Sequence, residues 1–195
     1  MASILSVEQI QGLAAGSTPN TITIPSGQTL HAPGHVLQVQ HAVQKGTLNF
    51  GSSSFADMTG LSITFTPLAS NSKLLILPMI NAQGYGMGNT CQIRPVVIHG
   101  STTVADFGVA DTAGSRTRSM MGNFAASGTD GNHMQSPTTG MVEYTITNTS
   151  QHTVKMQMKT QGGATVYVNR NKNDNDNSDW GARGLSSLTI WEIAQ

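Results

Sequence analysis

The segment VNRNKNDNDNSDWGARG, residues 168–184, concentrates amide and carboxylate side chains, whose oxygens are the ligands that calcium prefers. Asp174 and Asp176 alternate as the first ligands of an EF-hand loop do. The sixth position, however, is Asp179 where that loop requires glycine, and the twelfth is Leu185 where it requires glutamate. The segment therefore fails as an EF-hand. A looser calcium site built from Asp174, Asp176 and Asp179 stays an alternative to an ordinary polar turn.

Trp180 adds an aromatic ring to this segment, and saccharides bind where amide or carboxylate groups lie beside an aromatic platform. A second candidate contact is Tyr85 in the stretch GYGMGN, which we expect to form a hairpin tip. The alternative role for Trp180, which we prefer, is to plug the interior of the fold or a seam between subunits, as we also expect of Trp191. The candidate sugar-contacting residues of the segment are Asn173, Asn175, Asp176, Asn177, Asp179 and Trp180.

Arg116 and Arg118 stand two residues apart in GSRTR, so on a strand both guanidinium groups project from one face. Such a pair binds a carboxylate or a phosphate in bidentate fashion. Asp106 and Asp111 are close in the sequence. We expect salt bridges to these carboxylates or to another subunit, ahead of recognition of an acidic surface sugar.

His31, His35 and His41 recur around a Pro-Gly turn. In a trimer, one histidine from each subunit can converge on the axis and bind a metal, and His31 and His35 are the candidates. We favour the plainer role of exposed or hydrogen-bonded side chains beside a turn, and we expect neither a metal nor a cofactor.

Motifs of catalytic chemistry are absent from the sequence: it has no GxSxG elbow, no HExxH helix and no phosphate-binding loop. Asp106, Asp111, Asp130 and Glu143 are few and scattered, so a glycosidase pair is the last of the alternatives. We therefore expect a protein that is not an enzyme.

Charge is scarce and balanced in this chain. Lys and Arg number 10, Asp and Glu number 10, and together they make up 10% of 195 residues, against roughly a quarter in ordinary proteins. Nothing supplies the basic surface that nucleic-acid binding needs, and a neutral surface favours association of copies. The N-terminus has no basic secretory segment and no long apolar run, so we expect synthesis in a cytoplasm without membrane insertion.

Alternating apolar and polar residues predict half-buried strands, as in LSITFT, VEYTIT and TVKMQMKT. The denser runs KLLILPMI and PVVIHG predict central strands covered on both faces, although Pro78 and Pro95 indicate an edge or a bulge. The Asn/Asp segment is a predicted hairpin connection between TVYVN and the last strand. Together these patterns predict an all-β fold, an antiparallel jelly-roll-like β-sandwich with an extended N-terminal arm.

Residues 1–35 form a predicted anchoring or trimerisation arm, and residues 36–195 a predicted head domain. The arm is too thin to bury its own apolar side chains, so identical arms from other subunits are the simplest partners. The side chains expected to hold it are Val7, Ile10, Leu13, Ile22 and Ile24.

The arm SVEQIQGLAAGSTPNTITIPSGQTL resembles the N-terminal stalk segments of tail-fibre and related virion proteins of marine bacteriophages. The runs DTAGSRTRSMMGN and MKTQGGATVYVNRN and the ending LSSLTIWEIAQ resemble the globular C-terminal part of the same group. The resemblance implies a trimeric, β-rich structural component of a phage particle, and it carries over no catalytic residues.

These expectations favour a tail fibre that contributes to host-surface attachment and is anchored through its arm. A capsid decoration or head-fibre protein is the alternative, and a carbohydrate-binding, lectin-like module is a more distant one. The expected partners are identical copies in a homotrimer, other phage virion proteins and a host surface glycan, and the expected location is the virion.

Overall fold

The computed structural model describes residues 32–84, 90–123, 136–179 and 181–195, and the single positions 24, 26 and 30. Residues Ala32–Gln195 form one compact unit. No α-helix occurs in the described ranges, and Gln161–Gly163 form a short 3-10 segment. The strands are β1 (Val36–Gln44), β2 (Leu48–Phe50), β3 (Ala56–Phe65), β4 (Lys73–Gly84), β5 (Cys91–His99), β6 (Thr102–Val104), β7 (Met121–Asn123), β8 (Ser136–Thr139), β9 (Val142–Thr145), β10 (His152–Thr160), β11 (Val166–Val168) and β12 (Ser186–Ile193).

The strands form two antiparallel sheets, A and B. Across sheet A the order is β1, β12, β4, β9. Three short strands lie in line with these: β2 with β1, β11 with β12, and β8 with β9. Across sheet B the order is β3, β10, β5, β6, and β7 continues β6. The pairs nest along the chain: β1 with β12, β3 with β10, β4 with β9 and β5 with β6. This nesting is the topology of a jelly roll, so the predicted all-β sandwich is confirmed.

The core lies between the two sheets, where each strand contributes every second side chain. The inward positions predicted from alternation are buried, and each fully buried aliphatic side chain contributes about 1.5–3 kcal/mol to the stability of the fold. These positions are Leu61, Ile63 and Phe65 on β3, Tyr144 and Ile146 at β9, and Val154, Met156 and Met158 on β10. Val142, also predicted to point inward, is partly buried and packs against this core.

Pro78 and Pro95 lie inside β4 and β5, where a missing N–H ordinarily interrupts the ladder. Beside Pro78 the neighbouring strand position is broken, because β8 ends against Met79 and β9 begins against Ile76. β7 and β6 leave the same kind of gap beside Pro95. Both strands are central, as predicted, and at each proline the strand has a neighbour on one side alone, so the predicted local edge is confirmed at these points.

The outer face of sheet A remains open within the described residues. Leu75 and Leu77 of β4 are half-buried there, and Met79 is 38% exposed. Trp191 of β12 lies on the same face and is 39% exposed, because the alternation of β12 turns Ile190 inward instead. The prediction that Trp191 plugs the sandwich is therefore wrong. Coverage of β4 on its outer face, and a role for Trp191 in a subunit seam, stay predictions.

The carboxylate of Glu192 joins three segments at one corner of the sandwich. The residue is fully buried on β12. Both its oxygens lie 3.0 Å from the N–H of Leu68, and it also accepts hydrogen bonds from the N–H of Ala69 (3.1 Å), the hydroxyl of Ser72 (2.7 Å) and the amide of Gln38 (2.6 Å). Through these bonds Glu192 attaches both the β3–β4 connection and strand β1 to strand β12.

Burial by itself raises the pKa of the Glu192 carboxyl, because an apolar environment disfavours charge. The hydrogen bonds from Leu68, Ser72, Gln38 and Ala69 stabilise the charged form more strongly, so the pKa lies below its ordinary value of 4.5. A carboxyl whose pKa falls on folding stabilises the folded state above the ordinary pKa. That contribution is lost as the pH falls through the lower, folded-state pKa.

We expect Glu192→Gln to lower the free energy of unfolding at neutral pH by about 3 kcal/mol. The NH₂ group of the glutamine would face N–H and O–H donors whose hydrogen bonds the carboxylate accepts. The variant should also lose part of the acid destabilisation that the wild type undergoes as the pH falls below 4.5. Urea denaturation across this pH range measures both effects.

Glu143→Gln is the matched control, because Glu143 pairs with Lys73 at the surface (3.1 Å) and such pairs contribute about 0–1 kcal/mol. Equal losses in the two variants would contradict the role given to Glu192.

Candidate functional site

The Asn/Asp segment leaves sheet A at a break in one strand position. β11 pairs with β4 at Ala82, β12 pairs with β4 at Met79, and both run antiparallel to it. β8 pairs with β4 at these same two residues, so it occupies the opposite edge, and β11 and β12 lie in line on one edge. The predicted hairpin is therefore wrong, because β11 and β12 pair with β4 and not with each other. The Asn/Asp loop, residues 169–185, is an insertion in an interrupted strand.

Asn169 closes the base of the Asn/Asp loop. It is fully buried with φ 62°, a left-handed conformation that asparagine tolerates better than most residues. Its amide donates to the carbonyls of Gln44 (2.7 Å) and Gly46 (2.8 Å), and its side-chain oxygen accepts from the hydroxyl of Ser186 (2.7 Å). Its carbonyl accepts the N–H of Gly184 (3.1 Å), which brings the two ends of the loop together.

Side chains also hold the backbone at the start of the loop. Arg170 donates through Nη1 to the carbonyls of Asn171 (3.1 Å) and Lys172 (3.0 Å). The buried Asn171 accepts the N–H of Asp174 (2.7 Å), and Gln83 at the end of β4 accepts the N–H of Lys172 (3.1 Å). Closely spaced ends and internal bonds are the features of an Ω-loop, a class that is frequently functional.

A cavity of about 460 Å³ opens in the Asn/Asp loop, within the range of about 300–1,000 Å³ typical of small-ligand sites. On its wall Arg183 donates to both oxygens of Asp174, from Nε at 3.0 Å and from Nη2 at 2.7 Å. A Cβ at position 181 would overlap the carbonyl oxygens of Asn175 and Asn177, so this close turn requires Gly181. The cavity is lined by Asp174, Asn175, Asp176, Asn177, Ser178, Gly181 and Arg183.

The structure brings together part of the predicted sugar-contacting set. Asn173 and Asp179 are exposed on the same loop but do not line the cavity. Trp180 and Tyr85 lie outside the described residues. The predicted residues that do line the cavity are Asn175, Asp176 and Asn177.

Asp174 is engaged by Arg183, which neutralises a carboxylate that the calcium alternative requires. In the part of the chain that the structure describes, no group of three or more His, Cys, Asp and Glu side chains is placed to hold a metal ion. The loop as folded is therefore better suited to hydrogen bonding than to cation coordination, with Asp176 and Asp179 left exposed.

Arg116 and Arg118 lie in the irregular connection between β6 and β7, so the predicted strand face does not form. The Nε of Arg118 donates instead to the carbonyl of Ala110 (2.7 Å). An intrachain pair with Asp106 or Asp111 is absent from the described ranges, and a contact with another subunit stays a prediction. The ion pairs in the described ranges are Lys73–Glu143, Lys155–Asp57 and Arg183–Asp174.

The other predicted candidates stand apart from the cavity lining. His35 is exposed before β1, whereas His31 lies outside the described residues, so a shared metal at a subunit axis stays untested. Of the scattered acids, Asp106 and Asp111 are exposed, and Asp130 lies outside the described residues. Of the arm residues Ile24 is 42% exposed. The remaining arm residues, Val7, Ile10, Leu13 and Ile22, also lie outside the described part of the chain.

The sequence pattern indicates the exposed amides of the loop but does not reveal the buried ones that shape it. Asn169, Asn171 and Gln83 are all buried and bonded to the backbone. The available indication was the position of Asn169 directly after the apolar run VYV, since asparagine readily takes the left-handed conformation that turns a chain out of a strand.

No protein-family model matches this chain, and no curated protein matches it. Among solved structures it is similar to the VP2 subviral particle of infectious bursal disease virus, with 13% identity and a TM-score of 0.41 over 90% of this chain and 42% of that chain. It is also similar to a mutant VP2 of the same virus in T=1 particles, with 12% identity and a TM-score of 0.40 over 94% of this chain and 41% of that one. The chain thus spans about two fifths of the length of these proteins.

The described residues contain no helix that is long and apolar enough to span a membrane.

We expect Asn169→Ala to destabilise the protein by about 2–3 kcal/mol, because it leaves the Ser186 hydroxyl and two carbonyls without their partner and places alanine at a left-handed φ. Urea denaturation measures the change. The control is Asn173→Ala in the exposed part of the loop, which should stay within about 0.5 kcal/mol of wild type. Equal stability of Asn169→Ala and wild type would show that the loop base is not held as described.

Proposed function

We propose that this chain is a virion structural protein, a trimeric tail fibre whose head contributes to host-surface attachment. The observation that carries the proposal is the polar cavity of the Asn/Asp loop, a preformed site of small-ligand size on a head with few charges. The virion setting is supported by the resemblance of the arm and of the C-terminal runs to phage tail-fibre proteins, and by a balanced composition that favours assembly.

A saccharide fits the chemistry of the cavity best. Sugar hydroxyls both donate and accept hydrogen bonds, as do the amides of Asn175 and Asn177, and the carboxylate of Asp176 accepts them. Because the loop is fixed by its own internal bonds, little conformational entropy is lost when a ligand binds. Trp180 directly precedes the cavity-lining Gly181 in the sequence, and we assign it the platform for the apolar face of a sugar.

Attachment requires binding without turnover, and we assign the chain no enzymatic activity. Among the described residues, three acidic side chains are held in ion pairs: Asp174 with Arg183, Glu143 with Lys73 and Asp57 with Lys155. The arm is assigned to the particle, where its apolar side chains contact identical copies and other virion proteins. These side chains are Val7, Ile10, Leu13, Ile22 and Ile24.

We expect the double variant Asn175→Ala/Asp176→Ala of the full-length protein to bind its preferred glycan at least about ten-fold more weakly, because hydroxyls of the bound sugar lose their partners. A glycan array identifies the sugar, and calorimetric titration measures the affinities. Asn173→Ala is the matched control, since Asn173 is exposed on the same loop outside the cavity lining, and its affinity should equal that of the wild type.

The same proteins test attachment directly when they compete with phage particles for adsorption to host cells. The wild type and Asn173→Ala should inhibit adsorption, and the double variant should not. A protein that neither binds a glycan nor inhibits adsorption would overturn the attachment role.

A further inference from the structure

The outer face of sheet A is apolar at positions where a solvated sheet ordinarily carries polar side chains. Val39 is 54% exposed, Trp191 39%, and Val43 and Met79 each 38%. These side chains come from three adjacent strands, β1, β12 and β4. The surface, called the sheet A face below, comprises Val39, Val43, Leu75, Leu77, Met79 and Trp191.

The strand register makes this surface continuous. Val39 lies level with Trp191, and Trp191 with Leu75, so one apolar row spans β1, β12 and β4 and ends at Glu143 on the edge strand β9. A second row, four residues along β1, has Val43 and Met79 on either side of β12. The sheet A face is therefore a patch and not a set of isolated exposed side chains.

The row between these two is polar on β1 and β12. The ring Nδ1 of His41 lies 2.8 Å from the hydroxyl of Thr189, so the two groups partner each other across β1 and β12. Leu77 completes the row on β4. The middle row is therefore polar at His41 and Thr189 and apolar at Leu77.

The outer face of sheet B has the opposite character, which makes the apolar face a property of one side of the sandwich. Lys155 binds Asp57 at 2.8 Å, and this bond together with one from Gln157 holds the pKa of Asp57 below its ordinary value. Thr64 and Thr153 share a hydrogen bond of 2.9 Å across their strands. The outer face of sheet B thus carries polar side chains suited to contact with water, whereas the sheet A face carries apolar ones.

We propose that the sheet A face is buried in solution against a second copy of this chain. Contiguous apolar patches exposed on a soluble chain mark interaction surfaces. Interfaces between identical subunits are apolar at their centre and polar at their rim, and an aromatic residue such as Trp191 commonly supplies much of the binding energy.

The charge of the face favours a second copy as the occupant over a strongly charged partner. Lys73 and Glu143, at the rim of the face, bond to each other at 3.1 Å, so the face carries no unbalanced charge. The whole chain has 10 basic and 10 acidic residues, so two copies approach without repulsion. A strongly charged partner would gain no electrostatic attraction at this surface.

This inference deepens the proposed function. It rests on the proposed function in one respect, that the copies in contact are those of the trimer. It names the head surface at which copies meet, whereas the arm alone was assigned that role from the sequence. The contact itself requires only copies of this chain in solution, so it is tested without glycan and without particles.

The test compares full-length wild type with Val39→Thr/Trp191→Thr by light scattering coupled to size exclusion over a range of concentrations. We expect the wild type to be an oligomer and the double variant to shift towards the monomer mass of 20.5 kDa, with an apparent dissociation constant about ten-fold higher or more. Leu68→Thr is the matched control: Leu68 is as exposed as Val39, at 54%, but lies in the β3–β4 connection. It should leave the assembly unchanged.

A second measurement needs no change in the face itself. In a Trp180→Phe background Trp191 is the remaining one of two tryptophans, and its quenching by acrylamide should weaken as the protein concentration rises. A monomeric wild type, an oligomer that persists in Val39→Thr/Trp191→Thr, or quenching independent of concentration would overturn the inference. An oligomer that persists in the double variant would still leave the glycan-binding role standing, so the two failures are distinguishable.

Discussion

The pairing of β4 along both of its edges is the constraint on which the rest of the structure depends. β12 and β11 lie in line on one edge, and β9 and β8 lie in line on the other. Because β11 and β12 share an edge, the chain between them has to leave the sheet, and the Asn/Asp loop is the result. The same central position puts Leu75, Leu77 and Met79 in the middle of the sheet A face. The two surfaces that we consider functional therefore follow from one strand.

Buried polar groups decide how the segments around β4 are held, while apolar burial supplies most of the stability of the sandwich. Glu192 joins β12 to β1 and to the β3–β4 connection with hydrogen bonds from four residues. Asn169 ties the loop to the end of β1 and to β12. Neither side chain points to solvent, and the bonds of Asn169 fix the base of the loop in which the cavity opens.

The sequence predicted what depends on local periodicity and missed what depends on distant pairing. The inward positions of β3 and β10 were predicted because alternation is a property of a few consecutive residues, such as Leu61 and Ile63. The connection between β11 and β12 was misassigned because nothing local reveals that both pair with β4. Trp191 was misplaced for a related reason, since an apolar strand such as SLTIWEI does not indicate which of its faces another element covers. Likewise, only the pairing partners reveal that Asn169 is buried while Asn173 is exposed.

We propose a head with two functional surfaces, a sheet A face that contacts identical copies and an Asn/Asp loop that presents its cavity to the host. A density map of the intact virus particle, with this chain located in it, tests that claim most directly. We expect the chain on the tail, with Trp191 and Val39 buried between copies and the cavity around Asp176 open to solvent. A chain located on the capsid, or a loop buried against the particle with the sheet A face exposed, would contradict it.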